Sequence, residues 1–228
     1  MSSSLFLNNK KLNKKANKAL EYLKRNILLG NYSGGQHISE PEIAKIVGVS
    51  RPPVRAAIRE LENQGIVKTI PRRGSFVVEF TEDDIKEIYD IRIMLEGKIL
   101  KILIEKRLLN TNDFEQLEKY AEQMLKIANK NDISNENIIE FMEFDIEFHQ
   151  LLWEKSERRL SYKMLANNYI QLQLAMIQDY KEEANLTQTA MNHFKIIEKL
   201  KEGDEKGCRK SLVDHIVVYN KKLEDICN

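Results

Sequence analysis

The sequence predicts a mainly α-helical protein in which a winged helix-turn-helix is followed by an all-α antiparallel helical bundle. Charge and composition change together near residue 80. Residues 1–80 carry 14 basic and 6 acidic side chains, a net charge of +8, whereas residues 81–228 carry 22 and 29, a net charge of −7. All four prolines and six of the nine glycines lie before residue 81. Apolar residues recur at three- and four-residue steps in both parts, which is the spacing of amphipathic helices. We therefore expect two domains, 1–80 and 81–228, with about the first ten residues disordered.

Composition excludes membrane-spanning and disulfide-rich proteins. No stretch approaches the roughly 18 to 20 apolar residues that a membrane-spanning helix needs, and residues 1–11 are too polar for a signal peptide. We expect a cytoplasmic protein with no membrane partner. Cys208 and Cys227 are too few for a disulfide framework and too far apart for a CxxC site, so we expect reduced thiols.

The first domain is predicted to begin with three helices. Apolar residues at helical steps predict the first helix over residues 10–30. The second is expected between Ser39, which would form a capping box with Glu42, and Gly48. The third is expected over residues 50–64, with two prolines in its first turn. The short connection between the second and third helices predicts a helix-turn-helix.

The third helix carries a basic face. Arg51 and Arg55 are four residues apart and therefore lie on one side, opposite Val54 and Ile58. An arginine at the start of such a helix can reach phosphates or the O6/N7 edge of guanine in the major groove. A lone arginine is more often a solvated surface charge. Here the helix-turn-helix and the domain charge of +8 together favour DNA binding.

A basic hairpin is predicted after this helix. Residues 66–70 and 75–80 have the composition of short β-strands, and a turn containing Arg72, Arg73 and Gly74 joins them. We call these three residues the wing tip. A hairpin of this kind can lie along the DNA backbone or in the minor groove.

This part of the chain resembles a known family. Residues 38–78, which contain ISEPEIAKIVGVSRPPVRAAIRELENQGIVKTIPRRGSFV, are similar to the winged helix-turn-helix of the GntR family of bacterial transcription regulators. The resemblance implies that Arg51 and Arg55 contact double-stranded DNA from the recognition helix and that the wing tip contacts it from the hairpin.

The second domain contains no proline and is predicted to consist of helices only. Thr81 can cap the first of them, in which apolar residues at helical steps are Ile85, Ile88, Ile91, Leu95, Ile99 and Ile102. Further helices are predicted over residues 113–129, 135–155, 160–183, 187–202 and 204–227. Helices with one apolar face each pack as an antiparallel bundle.

Four metal-ligating side chains lie on apolar faces of these helices: Asp145, His149, His193 and His215. We call them the His/Asp cluster. Asp145 and His149 are four residues apart and face the same way. Burying an unpaired carboxylate costs several kcal/mol, and imidazoles around a divalent cation would offset this cost. Hydrogen-bonded core histidines and a buried Asp-His pair are the alternative interpretation, and periodicity alone leaves both open.

A second resemblance concerns the same residues. The segments similar to the FCD effector domain of the FadR branch of GntR regulators are IYDIRIMLEG at 88–97, FDIEFHQLL at 144–152 and NHFKIIEKLKEGDEKGCRKSLVDHI at 192–216. The resemblance implies that the His/Asp cluster holds a divalent metal, with zinc favoured and nickel or manganese possible. Arg92 matches an arginine that faces the effector pocket in the family; an ion pair is the alternative role.

The expected function is that of a ligand-responsive, sequence-specific DNA-binding regulator. We expect a repressor, not an enzyme, that binds a palindromic operator as a homodimer and responds to a small carboxylate or sugar acid. Two alternatives remain: a regulator whose effector is the metal ion itself, and a metal-dependent enzyme. Against the enzyme, the sequence offers no further inward-facing Glu or Lys as a general base.

Overall fold

The computed structural model describes residues 12–179 and 185–217, and these residues form nine α-helices and three short β-strands. In chain order the elements are α1 (Lys14–Leu28), β1 (His37–Ile38), α2 (Glu40–Val47), α3 (Arg51–Asn63), β2 (Val67–Ile70), β3 (Gly74–Val77), α4 (Glu82–Lys106), α5 (Thr111–Ala128), α6 (Asn135–Lys155), α7 (Arg159–Asp179), α8 (Leu186–Glu202) and α9 (Glu205–Val217). The predicted mainly helical class is confirmed. Within the described residues, no helix combines the length and apolar character needed to cross a membrane. The predicted disorder of the first ten residues and the predicted helix ends at 180–183 and 218–227 lie outside the described residues.

The chain divides into two compact units. The first contains Met1–Asp83 and Asn167–Lys181, and the second contains Asp84–Ala166 and Glu182–Asn228. The sequence predicted two contiguous domains that meet after residue 80. The second half of α7 belongs to the first unit because Leu174, which is buried, joins the hydrophobic core of that unit.

The first unit is a winged helix-turn-helix. Helix α1 packs against α2 and α3, and the apolar faces of the three helices form its core. The three strands make an antiparallel sheet in the order β1-β3-β2, in which His37 pairs with Phe76 and Val67 pairs with Val77. Strand β1 was not predicted from the sequence, since a strand of two residues is too short to show alternation.

The predicted capping box at Ser39 and Glu42 is not formed. Ser39 occupies the N-cap position of α2, but its side chain makes no capping hydrogen bond. Its ψ of 106° differs from the 164° of Ser134, which does cap its helix. Ser50, at the start of α3, also makes no such bond. Prolines occupy the second and third positions of that helix, so the N–H groups a capping side chain would bind are missing.

One charged side chain lies in the interior of the first unit. Lys24 on α1 is 2% exposed, and its Nζ has no hydrogen-bond partner among the described residues. Burial lowers the pKa of Lys24 from 10.5 to about 8, and the nearby Glu60 carboxylate only partly opposes this shift. The cost of holding this ammonium in the folded state is about 3 kcal/mol at neutral pH.

Replacing this lysine with methionine is expected to stabilise the protein. Between about pH 8 and pH 10.5 the unfolded chain binds more protons than the folded chain, so the free energy of unfolding of the wild type should rise with pH in this window. Lys24→Met should add about 1 to 3 kcal/mol at pH 7 and should flatten the rise. Urea titrations at several pH values measure both effects, with the exposed Lys15→Met as the control. A Lys24→Met variant no more stable than the control would show that the ammonium reaches water.

The second unit is a helical bundle. Helix α5 packs against α6 and α8, and α8 packs against α9. Asn110 and Ser134 form capping boxes that fix the starts of α5 and α6. Large side chains of α6, among them Phe148 and Trp153, are fully buried. This packing turns the inner faces of α6, α8 and α9 toward a common interior, where the His/Asp cluster lies.

Candidate DNA interface and candidate metal centre

The recognition helix α3 presents its basic face to solvent. Val54, Ile58 and Leu61 are buried on one side, while the side chains of Arg51 and Arg55 are 60% and 52% exposed on the other. This is the arrangement that the spacing predicted. Both guanidinium groups are therefore accessible to a DNA duplex.

Glu40, the first residue of α2, orders the two arginines. Its carboxylate accepts hydrogen bonds from Nε and Nη2 of Arg55, each at 2.9 Å, and lies 3.8 Å from Nη2 of Arg51. The hydrogen bond from Arg55 is the main cause that lowers the pKa of Glu40. The sequence did not predict this role of Glu40. Its position in the first turn of the helix-turn-helix was the available signal. These two hydrogen bonds to Glu40 fix the orientation of the Arg55 guanidinium. A guanidinium is the donor group suited to phosphate or guanine.

The wing tip is a tight turn between β2 and β3. The backbone N–H of Arg73 donates to the carbonyl of Ile70 at 3.0 Å, and Arg72 has a φ of 64°. A positive φ is unfavourable for arginine, and the turn presents the exposed Arg72 side chain at the hairpin end. Gly74 has a φ of 98°, and a Cβ there would lie 2.5 Å from Nε2 of His37. Gly74 is therefore required by the turn, while Arg72 and Arg73 supply its charge.

The structure brings the whole His/Asp cluster together in the interior of the second unit. Asp145 and His149 come from α6, His193 from α8 and His215 from α9, and all four are buried. One potential ligand atom from each lies within 4.8 Å of the other three. Oδ1 of Asp145 is 3.1 Å from Nε2 of His193 and 3.6 Å from Nε2 of His215. Nε2 of His149 is 3.0 Å from Nε2 of His215.

An oxygen atom lies close to Nδ1 of two of these histidines. Nδ1 of His193 lies 2.9 Å from the carbonyl oxygen of Thr189, and Nδ1 of His149 lies 2.7 Å from Oε2 of Glu96. A neutral imidazole that donates through Nδ1 keeps a lone pair on Nε2. Both Nε2 atoms therefore direct lone pairs at other members of the His/Asp cluster. A divalent cation between these ring nitrogens and Oδ1 of Asp145 would be bound by such lone pairs.

Electrostatics favour the ligand forms of these groups. Burial alone would raise the pKa of Asp145, but the imidazoles beside it, His193 foremost, lower that pKa well below its ordinary value when they carry a proton toward the carboxylate. Burial is the main cause that lowers the pKa of His193 and, more strongly, that of His215. The aspartate is ionised and these two histidines are neutral at pH 7. Metal ligation requires these protonation states.

A buried ion pair adjoins the His/Asp cluster. Nε of Arg92 donates to Oε1 of Glu96 at 2.7 Å, and both side chains are 2% exposed. The sequence pattern pointed to Arg92, but it predicted Ile91 and Leu95 on the inner face of α4. Those two residues are only half-buried, so the inner face is rotated and includes Glu96. The statement that no further inward-facing glutamate exists was therefore wrong. The four-residue spacing of Arg92 and Glu96 was the only signal for this pair.

Comparison with known families agrees with both units. The profile described as "Bacterial regulatory proteins, gntR family" matches residues 15–77, and the profile of the FCD domain matches residues 87–217. The second match alone covers more than half of the chain. The chain belongs to the GntR family of bacterial transcription regulators. It is a GntR regulator with an FCD domain, as the resemblance implied.

Relatives of this GntR regulator are regulators as well. A Bacillus subtilis (strain 168) protein described as the uncharacterized HTH-type transcriptional regulator YdhC is 30% identical over 193 residues, which are 85% of this chain and 84% of the relative. The gluconate operon transcriptional repressor of the same organism is 30% identical over 212 residues, 90% of this chain and 83% of the relative. None of these descriptions is that of an enzyme, and the prediction of a regulator is confirmed.

The fold of this GntR regulator occurs in solved structures. The structure of Escherichia coli McbR/YncC aligns with a TM-score of 0.75 at 21% identity and covers 95% of this chain and 100% of that chain. A GntR regulator from Rhodococcus sp. RHA1 aligns with a TM-score of 0.70 at 19% identity, covering 90% and 94%. At these identities the likeness concerns the fold.

Proposed function

We propose that this GntR regulator is a repressor that binds a palindromic operator as a homodimer and is released by a small carboxylate or sugar acid. The effector would bind next to a divalent metal held by the His/Asp cluster. Arg51, Arg55 and the wing tip would contact the DNA. The observation that carries the proposal is the convergence of four buried ligand atoms within 4.8 Å in the domain that follows a winged helix-turn-helix.

The donor set fits zinc best among the common divalent metals. Three imidazoles and one carboxylate are ligands that Zn²⁺ accepts, and Ni²⁺ or Mn²⁺ would also accept them. When bound, such a cation supplies a Lewis-acid centre to which a carboxylate can attach. Asp145 and His149 on α6 would provide one side of the site, and the histidines of α8 and α9 would provide the other.

The charge of the buried groups supports an anionic effector. With neutral imidazoles, the charged side chains of the site are Arg92, Glu96 and Asp145, with a net charge of −1. A divalent cation brings the total to +1, and one carboxylate brings it to zero. Uncompensated charge in a protein interior is costly, so the metal-loaded site favours a single negative charge. Arg92 would contribute to the attraction while Glu96 holds its Nε.

The DNA side of the proposal rests on the first unit and on one relative. The net charge of +8 over residues 1–80 suits a duplex, and two copies of one helix-turn-helix read the two halves of a palindrome. The relative described as a gluconate operon repressor suggests repression and a sugar acid as the first effector to test. Binding of the effector would favour a dimer in which the two recognition helices no longer match the operator spacing.

The experiment begins with zinc-loaded, full-length protein and a random duplex library. A palindromic sequence should be enriched, and light scattering should show a dimer at the binding concentration. Gluconate and other small carboxylates are then titrated, and one of them should weaken DNA binding by about 5- to 150-fold, the usual range of allosteric coupling. Arg92→Gln should reduce this response. If no duplex is enriched, or if the protein binds as a monomer, the proposal is wrong.

The same measurement of DNA binding distinguishes a regulator that responds to an organic acid from one whose effector is the metal ion itself. The burial of the His/Asp cluster favours that alternative, because a buried ion can itself set the conformation. A chelator is added without any acid, and zinc is then restored. A change in DNA affinity with metal alone, together with no response to any carboxylate, would identify the ion as the effector.

A further inference from the structure

We propose that Glu96, held by Arg92, is a positioning residue of the metal centre. It fixes His149 in the tautomer that carries the proton on Nδ1 and directs the lone pair of Nε2 at the other members of the His/Asp cluster. The inference rests on the proposed metal site and assigns a role to two residues of α4 that are not themselves ligands.

The geometry leaves Glu96 with one partner for each oxygen. Oε1 accepts from Nε of Arg92 at 2.7 Å, and Oε2 lies 2.7 Å from Nδ1 of His149. A carboxylate with a guanidinium at this distance is ionised and has no proton to donate. The proton between Glu96 and His149 therefore belongs to the imidazole. Rotation of the Glu96 side chain would break both contacts, so the ion pair with Arg92 fixes the ring of His149 as well.

His149 depends on a side chain in a way that His193 does not. The carbonyl of Thr189, which accepts from Nδ1 of His193, belongs to the helix backbone and is present whatever residue occupies position 189. For His149 the acceptor is supplied by α4, a different helix from its own. A carboxylate also makes the imidazole a stronger ligand than a carbonyl does, because it stabilises the positive charge that the ring acquires on coordination.

The expected effect is a loss of metal affinity without loss of fold. Such outer partners of ligating histidines contribute about 10- to 100-fold to metal affinity. Glu96→Gln keeps the shape but places an amide N–H against Arg92 or His149, so its zinc affinity, measured by competition with a chromophoric chelator, should fall within this range. Glu96→Ala should fall further, and its Co²⁺ absorption spectrum should show a changed coordination geometry.

Two further variants keep the test decisive if a single substitution unfolds the protein. Arg92→Met with Glu96→Met removes both charges of the ion pair, so neither is left in the interior without its partner, and the double variant should fold and bind zinc about 10- to 100-fold more weakly. Asp113→Asn is the matched control. Asp113 is also a buried carboxylate of the second unit, paired with Lys155 at 2.7 Å, but it belongs to the capping box of α5 and not to the His/Asp cluster. It should lose stability and keep its zinc affinity.

The outcomes distinguish this inference from the proposed function. A wild-type protein that binds no divalent metal would contradict the metal site, and the role of Glu96 with it. A wild-type protein that binds zinc tightly, with folded Glu96→Ala and double variants that bind equally tightly, would contradict only the positioning role. Equal losses of zinc affinity in Asp113→Asn and Glu96→Gln would also overturn it, because the loss would then follow stability alone.

Discussion

Replacing both Arg51 and Arg55 with alanine is expected to abolish sequence-specific DNA binding. Each bidentate contact of an arginine with guanine contributes about 1 to 3 kcal/mol of discrimination, so the loss of two should reduce affinity for a selected duplex by at least about 30-fold. The two side chains are exposed and contribute nothing to the buried face of α3, so the fold should be retained. Fluorescence anisotropy with the selected duplex and a scrambled one measures the effect.

The matched control removes the same charge from another helix. Lys14 and Lys15 are exposed on α1, and the double alanine variant lowers the charge of the first unit by the same amount. It should bind the selected duplex nearly as the wild type does. Equal losses in the two double variants would show that bulk charge, rather than the recognition helix, determines binding. The salt dependence adds a second readout, since removing one side chain that binds a phosphate reduces the slope of log affinity against log salt by about one.

A substitution in the wing tip is expected to weaken DNA binding less than the substitutions in the recognition helix. Arg72→Gly removes one positive charge and at the same time suits the φ of 64°, so the turn between β2 and β3 should persist. We expect a smaller loss of affinity than in the recognition-helix variant, of similar size on the selected and the scrambled duplex, because phosphate contacts carry no sequence information. A larger loss on the selected duplex would instead indicate that the wing reads base edges.

The sequence predicted best what depends on neighbouring residues. The helix-turn-helix and the hairpin follow from turn residues and from local apolar spacing, and Asp145 and His149 share one face because they are four residues apart. No spacing relates His193 and His215 to that pair. They lie on other helices, and only their positions on apolar faces and the resemblance connected them with that pair.

The sequence was least able to predict the buried face of a helix where that face contains charged residues in place of apolar ones. On α4 the periodic isoleucines suggested a face that contains Leu95, whereas packing buries Glu96, which the pattern counts as solvent-facing. The ion pair with Arg92 offsets much of the free-energy cost of burying Glu96. The other partner of Glu96 is His149 on α6, and a pattern within α4 cannot predict a contact with another helix. The same limit applies to Leu174, whose core lies in the first unit although its helix begins in the second.

Replacing His193 and His215 together with alanine is expected to remove the metal and its contribution to stability. The wild type should contain about one divalent ion per chain after purification in zinc, and the double variant should contain none, because two of the four proposed ligands are lost. A bound metal at 100 times its dissociation constant stabilises the folded state by about 2.7 kcal/mol. Chelation should therefore lower the melting temperature of the wild type and leave that of the variant unchanged.

The response to chelation separates metal loss from damage to the core. Both histidines are fully buried, so the double variant also loses packing and should melt below the wild type even without metal. That loss is present with and without chelator, whereas the metal contribution disappears only when a bound metal is removed. His37→Ala is the control, since His37 is exposed in the first unit and the variant should keep the full response. A double variant that still responds to chelation would place the metal elsewhere, because Asp145 and His149 alone offer too few ligands for a closed site.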